Sequence, residues 1–304
     1  MPPSLTNLQI RARLTAAVRD FFSRRQYLEI ETPCRLPALL PEAHIEPRLS
    51  GDWYLQPSPE ICMKRLLSKE FPRLFQICKA FRRAEQGRRH LPEFTLLEWY
   101  RVGGNYNDLM RETEALIRFA AGRLNNSFGL IYQGKTIDLS PDWPRLRVAE
   151  AFDRYAEISL EEALRRKIFD EVMGLTIEPA LAAGPDRPLF LYDYPADPGA
   201  ALARLKPGHQ DVAERFELYI AGLELSNGFS ELTGSEAYRE RLLGEQRRIR
   251  QNGREAPTLP DKFLRDVADM PAAAGNALGM DRLAMLFCDA SDINEVVAFS
   301  PEDL

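Results

Sequence analysis

Residues 74–83 and 93–102 each read as a β-strand, and the charged loop from Glu85 to His90 joins them. Successive side chains of a strand alternate between its faces, so Phe94, Leu96, Glu98 and Tyr100 share one side. A return strand carrying a carboxylate and two aromatic rings on one side fits a sheet with a polar site better than a plain solvent-facing ribbon. The rest of the chain supplies helices to flank that sheet. Ile10, Leu14, Val18 and Phe21 recur at helical spacing within 6–25. Tyr27 to Glu31 alternates like a strand until Thr32-Pro33 stops it. Ser58-Pro59-Glu60 opens a helix that turns Met63, Leu66 and Leu67 inward, and residues 107–124 return to helical spacing. Mixed helical signals with a weak strand or two occupy 125–188. A strand at Leu189 to Tyr192 follows, then a single strand over about 213–225 that runs into Ser226-Asn227-Gly228. A charged helix covers 235–252, and the strand Gly275 to Gly279 leads into a helix opened by Asp281. The pattern predicts one α+β domain over 1–304 with a helical insertion at about 125–188.

The net charge of -5 over 304 residues argues against a general nucleic-acid binder. No run of eighteen apolar residues is present, so no membrane span is expected. The start, Met1-Pro2-Pro3-Ser4, lacks a secretory pattern, which points to the cytoplasm. The four cysteines and three histidines fall in no metal-binding spacing. Residues 64–90 hold nine Lys/Arg against Glu70 and Glu85, a solvated face or a phosphate pocket.

Three clusters carry chemistry. In the first, Arg82 and Arg83 end a strand, the basic loop reaches His90, and Phe94 lies on the return strand. Guanidinium forks match phosphate oxygens and a ring stacks on a base, which suits a nucleotide. In the second, Glu217, Glu224 and Glu231 surround Asn227, a set able to hold Mg²⁺ against phosphates or to hold a substrate ammonium. In the third, Gly275 to Gly279 lets backbone approach a ligand, and Arg282 in the following helical turn reaches a phosphate. No Gly-x-x-x-x-Gly-Lys-Ser/Thr occurs, so phosphates are not held by a P-loop.

In this order the clusters resemble the motifs of class II aminoacyl-tRNA synthetases. Tyr27 to Pro33 resembles motif 1, Phe81-Arg82 through Glu98 motif 2, and Ala277 to Leu283 motif 3. Ser58-Pro59-Glu60, Glu98-Trp99-Tyr100 and Glu224 to Leu232 resemble the lysine-specific branch. Motif 1 lies within the first residues, leaving no room here for a preceding anticodon-binding barrel. A bare domain of this size resembles the elongation factor P–(R)-β-lysine ligase family.

The resemblance implies an antiparallel class II sheet flanked by helices, a homodimer through motif 1, and ATP with Mg²⁺ as cofactors. It implies β-lysine or lysine as substrate and elongation factor P as acceptor, with tRNA a disfavoured partner. Arg82 and Arg282 would be catalytic, on the α- and γ-phosphates. Arg83, Ala84, His90, Leu91, Phe94, Glu224, Leu225 and Gly279 would complete the ATP site, with Phe94 on adenine. Glu217 and Glu224 would hold Mg²⁺. Ser58, Pro59, Glu60, Glu98, Tyr100, Asn227, Glu231 and Ala277 would hold the amino acid, acids at both ends matching its two ammonium groups. Alternatives are a truncated tRNA-charging enzyme and a non-catalytic amino-acid-binding paralogue. Two positions depart from the family pattern: Ala84 replaces the motif 2 glutamate, and Leu91 a polar residue. Glu85, one residue on, would face away on a continuing strand unless a bulge intervened.

Overall fold

A computed structural model of the chain describes residues 4–83, 85–184, 186–197 and 202–304. Its centre is an eight-stranded sheet of β1 (Leu28–Glu29), β2 (Arg73–Phe81), β3 (Glu93–Val102), β4 (Arg145–Arg147), β5 (Leu189–Pro195), β6 (Val212–Ile220), β7 (Leu223–Ser230) and β8 (Ala273–Gly279). The spatial order is β1-β2-β3-β8-β7-β6-β5-β4. All neighbours from β2 to β5 run antiparallel, and only the edge strands β1 and β4 are parallel to theirs. The expected antiparallel sheet with flanking helices is what the chain forms.

The two-residue period divides the sheet between two cores. Leu97 and Trp99 of β3 join the cluster built with helices α1 (Leu5–Arg24), α3 (Tyr106–Asn125) and α5 (Met280–Cys288). Tyr100 belongs to the opposite cluster, with Met63 and Leu67 of α2 (Glu60–Leu67) and Tyr238 of α4 (Ser235–Gln251). Helix α1 starts where Ser4 Oγ accepts from the Asn7 N–H at 3.0 Å, and it buries Leu14, Val18, Phe21 and Phe22. The face of β3 that carries Glu98 is therefore covered by α2 and α4, not by water.

Two segments differ from the sequence expectation. The strand expected over 213–225 is a hairpin, turning at Ala221 (φ 49°) and Gly222 (φ 75°). Two consecutive left-handed residues make the tight turn whose twist matches antiparallel strands. Glu217 and Glu224 consequently sit on different strands, β6 and β7. The segment 125–188 opens with a β-hairpin, Gly129–Tyr132 with Lys135–Asp138, and contributes edge strand β4. Helical turns from Val148 to Ala183 follow, packing Phe152, Phe169 and Ile177 against Leu191 and Tyr219. No helix among the described residues is long and apolar enough to cross a membrane.

Candidate functional site

Where β2 ends and β8 hands over to α5, the sheet opens into a cleft of about 210 Å³. Arg82 lies just beyond β2, its guanidinium 5.1 Å above the ring of Phe94. Its Nη1 donates to Glu85 Oε1 at 3.0 Å, while its Nε is buried without a hydrogen-bond partner among the described residues. A buried donor left open in this way is a place for a ligand acceptor. Arg282, in the first turn of α5, donates from Nη1 to the Glu224 carbonyl at 2.7 Å and to Glu224 Oε2 at 3.3 Å. Its Nη2 stands 2.5 Å from His90 Nε2. A guanidinium only donates, so this imidazole nitrogen accepts. Burial, then the Arg282 charge, holds the His90 pKa below the usual histidine range, consistent with a neutral ring. Leu91, Leu225, Asn227, Ala277 and Gly279 complete the wall.

Glu85 corrects one expectation. Strand β2 stops at Phe81, so alternation no longer governs residue 85, and its carboxylate enters the cleft on Arg82 with no ladder bulge. Arg83 corrects another. Its Nη1 reaches Glu46 Oε1 at 2.9 Å, and it lines a neighbouring cavity instead of the cleft. Ala84 lies outside the described residues.

Beside the cleft, the amino-acid candidates form a buried acid cluster. Ala277 pairs with Glu98 across β8 and β3, linking the two regions. Glu98 Oε1 accepts from the Tyr100 hydroxyl and Oε2 from the Ser58 hydroxyl, both at 2.6 Å. Ser58 Oγ in turn accepts from the Glu60 N–H at 3.0 Å, beside Pro59 at the start of α2. Burial and then the Glu60 charge push the Glu98 carboxyl up to about 7. Glu231 is fully buried; Oε2 is 2.5 Å from Lys64 Nζ and Oε1 has no partner among the described residues. Floor space here depends on Gly275, since a Cβ there would lie 2.2 Å from the Tyr100 ring and 2.8 Å from Glu231 Oε1.

Lys64 escaped the sequence reading. It counts among the nine basic residues of 64–90, yet it is completely buried and also holds Glu60 Oε1 at 2.5 Å. Its place between the inward Met63 and Leu67, four residues after Glu60, was the available signal. Arg215 was missed too. It reaches Glu217 Oε1 at 2.5 Å while Tyr194 and Tyr219 hydroxyls donate to Oε2 at 2.5 and 2.7 Å. Glu217 is thus saturated by protein donors. Among the described residues Glu224 has only Oε2 engaged, and burial followed by the Glu217 charge raises its pKa.

Residues 2–303 match the family model described as tRNA synthetases class II (D, K and N). The chain belongs to the class II tRNA synthetases. Among curated relatives it is 38% identical to the elongation factor P–(R)-β-lysine ligase of Erwinia tasmaniensis, over 98% of this chain and 95% of that protein. The ligase of the same name from Enterobacter sp. is 36% identical and that from Salmonella gallinarum 38%, each over 98% of this chain and 95% of the relative. On this synthetase framework the segments resembling motifs 2 and 3 converge. Arg82 and Phe94 face Arg282 across the cleft, and Asp281 ties the framework together by accepting from the Thr95 N–H at 2.6 Å and pairing with Arg11 at 2.5 Å.

Proposed function

We propose that this chain uses ATP to activate (R)-β-lysine, or lysine, as an acyl-adenylate and transfers it to a lysine side chain of elongation factor P. The relatives' printed name supplies the substrate and acceptor. The structural observation that carries the reading is the line along β8. Gly279 and Ala277 lie in the cleft with Arg82 and Arg282, and Gly275 lies against Tyr100 and Glu231. Gly275 and Ala277 are about 7 Å apart along the strand, roughly the length of a lysine-type side chain. An amino acid lying along β8 would therefore set its carboxylate by Arg82 and its distal ammonium among Glu98, Tyr100 and Glu231.

Adenylation needs no protein nucleophile. The substrate carboxylate would attack the α-phosphorus in line and pyrophosphate would leave, while Arg82 stabilises charge spreading on the α-phosphate. Phe94 would stack on the adenine, with Arg282 on the γ-phosphate and neutral His90 beside the leaving group. The acceptor amine then attacks the mixed anhydride, and AMP departs. Mg²⁺ fits Glu224, whose second carboxylate oxygen has no partner among the described residues and which stands beside the Glu217 charge. Saturated Glu217 would act on it through charge or bridging water. Among the described residues no three Asp, Glu, His or Cys side chains gather as a metal cage. When bound, Mg²⁺ would offset triphosphate charge. ATP–pyrophosphate exchange tested with β-lysine, lysine and ornithine, followed by transfer to elongation factor P or tRNA, tests the reading.

A further inference from the structure

We propose that Lys64 is a positioning residue of the amino-acid pocket, an internal ammonium that draws Glu231 toward its carboxylate form and turns it so that its second oxygen faces the substrate's distal ammonium. This rests on the diamine reading above.

The cluster holds the carboxylates of Glu60, Glu98 and Glu231 around one internal cation. Lys64 Nζ lies 2.5 Å from both Glu60 Oε1 and Glu231 Oε2, and it sits 5.0 Å from the Phe229 ring centre and 5.4 Å from that of Tyr238. None of its side chain is exposed. The groups that face it come from every neighbouring element: Glu60 on its own helix, Glu98 on β3, Glu231 after β7, Tyr238 on α4, and Glu42 from the preceding loop, while Tyr100 faces the three acids Glu60, Glu98 and Glu231. With Glu42 counted, four acids surround one lysine, an excess of negative charge that a substrate's ammonium groups would reduce. The engaged Oε2 also fixes Glu231, leaving Oε1 buried and unpaired against Gly275 and Tyr100.

Lys64 does not merely lower the pocket's charge. Burial, the largest influence on Glu231, pushes its carboxyl up to about 8 even beside Lys64, which opposes that rise. Without that cation a fully buried carboxylate takes a proton instead of bearing an unpaired charge. A neutral Glu231 no longer attracts the distal ammonium. Lys64 therefore strengthens cation binding although it is itself a cation.

The test compares Lys64→Met, Lys64→Gln and Lys64→Arg with the parent enzyme. Adenylation of β-lysine is measured by pyrophosphate exchange from acidic to alkaline pH, with norleucine, which lacks the distal ammonium, as competitor. In Met and Gln variants the KM for β-lysine at neutral pH should rise on the order of 10- to 100-fold and recover as pH increases. The kcat, the KM for ATP and norleucine inhibition should change little, and Lys64→Arg should resemble the parent. Because KM and the pH midpoint do not depend on the folded fraction, partial unfolding does not blur the outcome. Gln also retains donors to both acids if Met fails to fold. Unmoved pH profiles in Met and Gln variants would overturn the proposal. So would a common decline for β-lysine, norleucine and ATP that Arg fails to relieve. If the parent activates no diamine, the functional reading fails separately. Infrared spectra of the substrate-free proteins across the same pH range then decide on Lys64: the protonated-carboxyl band that Glu231→Gln removes should persist to higher pH in Lys64→Gln than in the parent, and an unmoved band refutes the proposal.

Discussion

Arg82 and Arg282 stand on opposite walls of one cleft, each with a guanidinium edge that a phosphate could take over. Replacing either by alanine should lower adenylate formation by roughly two orders of magnitude or more, about 3 kcal/mol of lost charge stabilisation. Near-normal pyrophosphate exchange in a purified variant would show the ATP site to be misplaced. Ala277 faces the same cleft, one strand pair from Glu98, so in the proposed binding mode its methyl group would border the substrate's reactive end. Ala277→Gly should relax β-lysine selection and gain lysine activation, worth about 1–3 kcal/mol in relative adenylation efficiency. An unchanged β-to-α ratio would assign discrimination elsewhere. The acids also link folding to pH. Burial raises Glu98 from 4.5 to about 7, so the folded state holds this proton more tightly than the unfolded chain. Its contribution to stability is full below about pH 4.5 and declines as pH rises through about 7. A bound diamine reverses that decline, so the increase in Tm produced by β-lysine should grow between about pH 5.5 and 8. A ligand-induced shift independent of pH would contradict it.

At the scale of elements, Asp281 joins three of them by accepting from β3 and pairing with Arg11 of α1 while opening α5. Asp281→Ala should cost about 2–3 kcal/mol in urea unfolding, because it takes the acceptor from the Thr95 N–H and the carboxylate from Arg11, which keeps only the neutral acceptors of Val296 and Thr95. A midpoint unchanged at constant slope would show that these contacts do not stabilise the fold. The strands around motif 2 and motif 3 could be read from the chain because their apolar alternation is strong and glycine or proline ends them. The hairpin at Ala221-Gly222 was harder to see. Apolar residues continue on both sides of the turn, and only one glycine interrupts them. The loop after Phe81 was misread for a related reason, since alternation was carried past the last residue with ladder partners. Most cleft residues were foreseeable as local motifs. Lys64, Arg215 and the inward Glu85 were not, because their roles depend on partners brought by distant strands and helices.

For the whole molecule, edge strand β1 pairs with β2 on one side, and Leu28 is 49% exposed. Together with the first helix, this segment is the proposed homodimer contact, a self-complementary surface of the kind two-fold assemblies use. Light scattering should give twice the 34.7 kDa of one chain, and a monomer mass at working concentration would contradict it. The acid cluster and the cleft lie along the same strand, β8, the arrangement that the proposed substrate, charged at both ends, would require. The most direct measurement is pyrophosphate exchange with β-lysine and norleucine side by side, followed by addition of elongation factor P. The account predicts β-lysine-dependent exchange, far weaker exchange with norleucine, and covalent transfer to a lysine of the factor. Equal exchange for the two amino acids, or none with β-lysine, would contradict it.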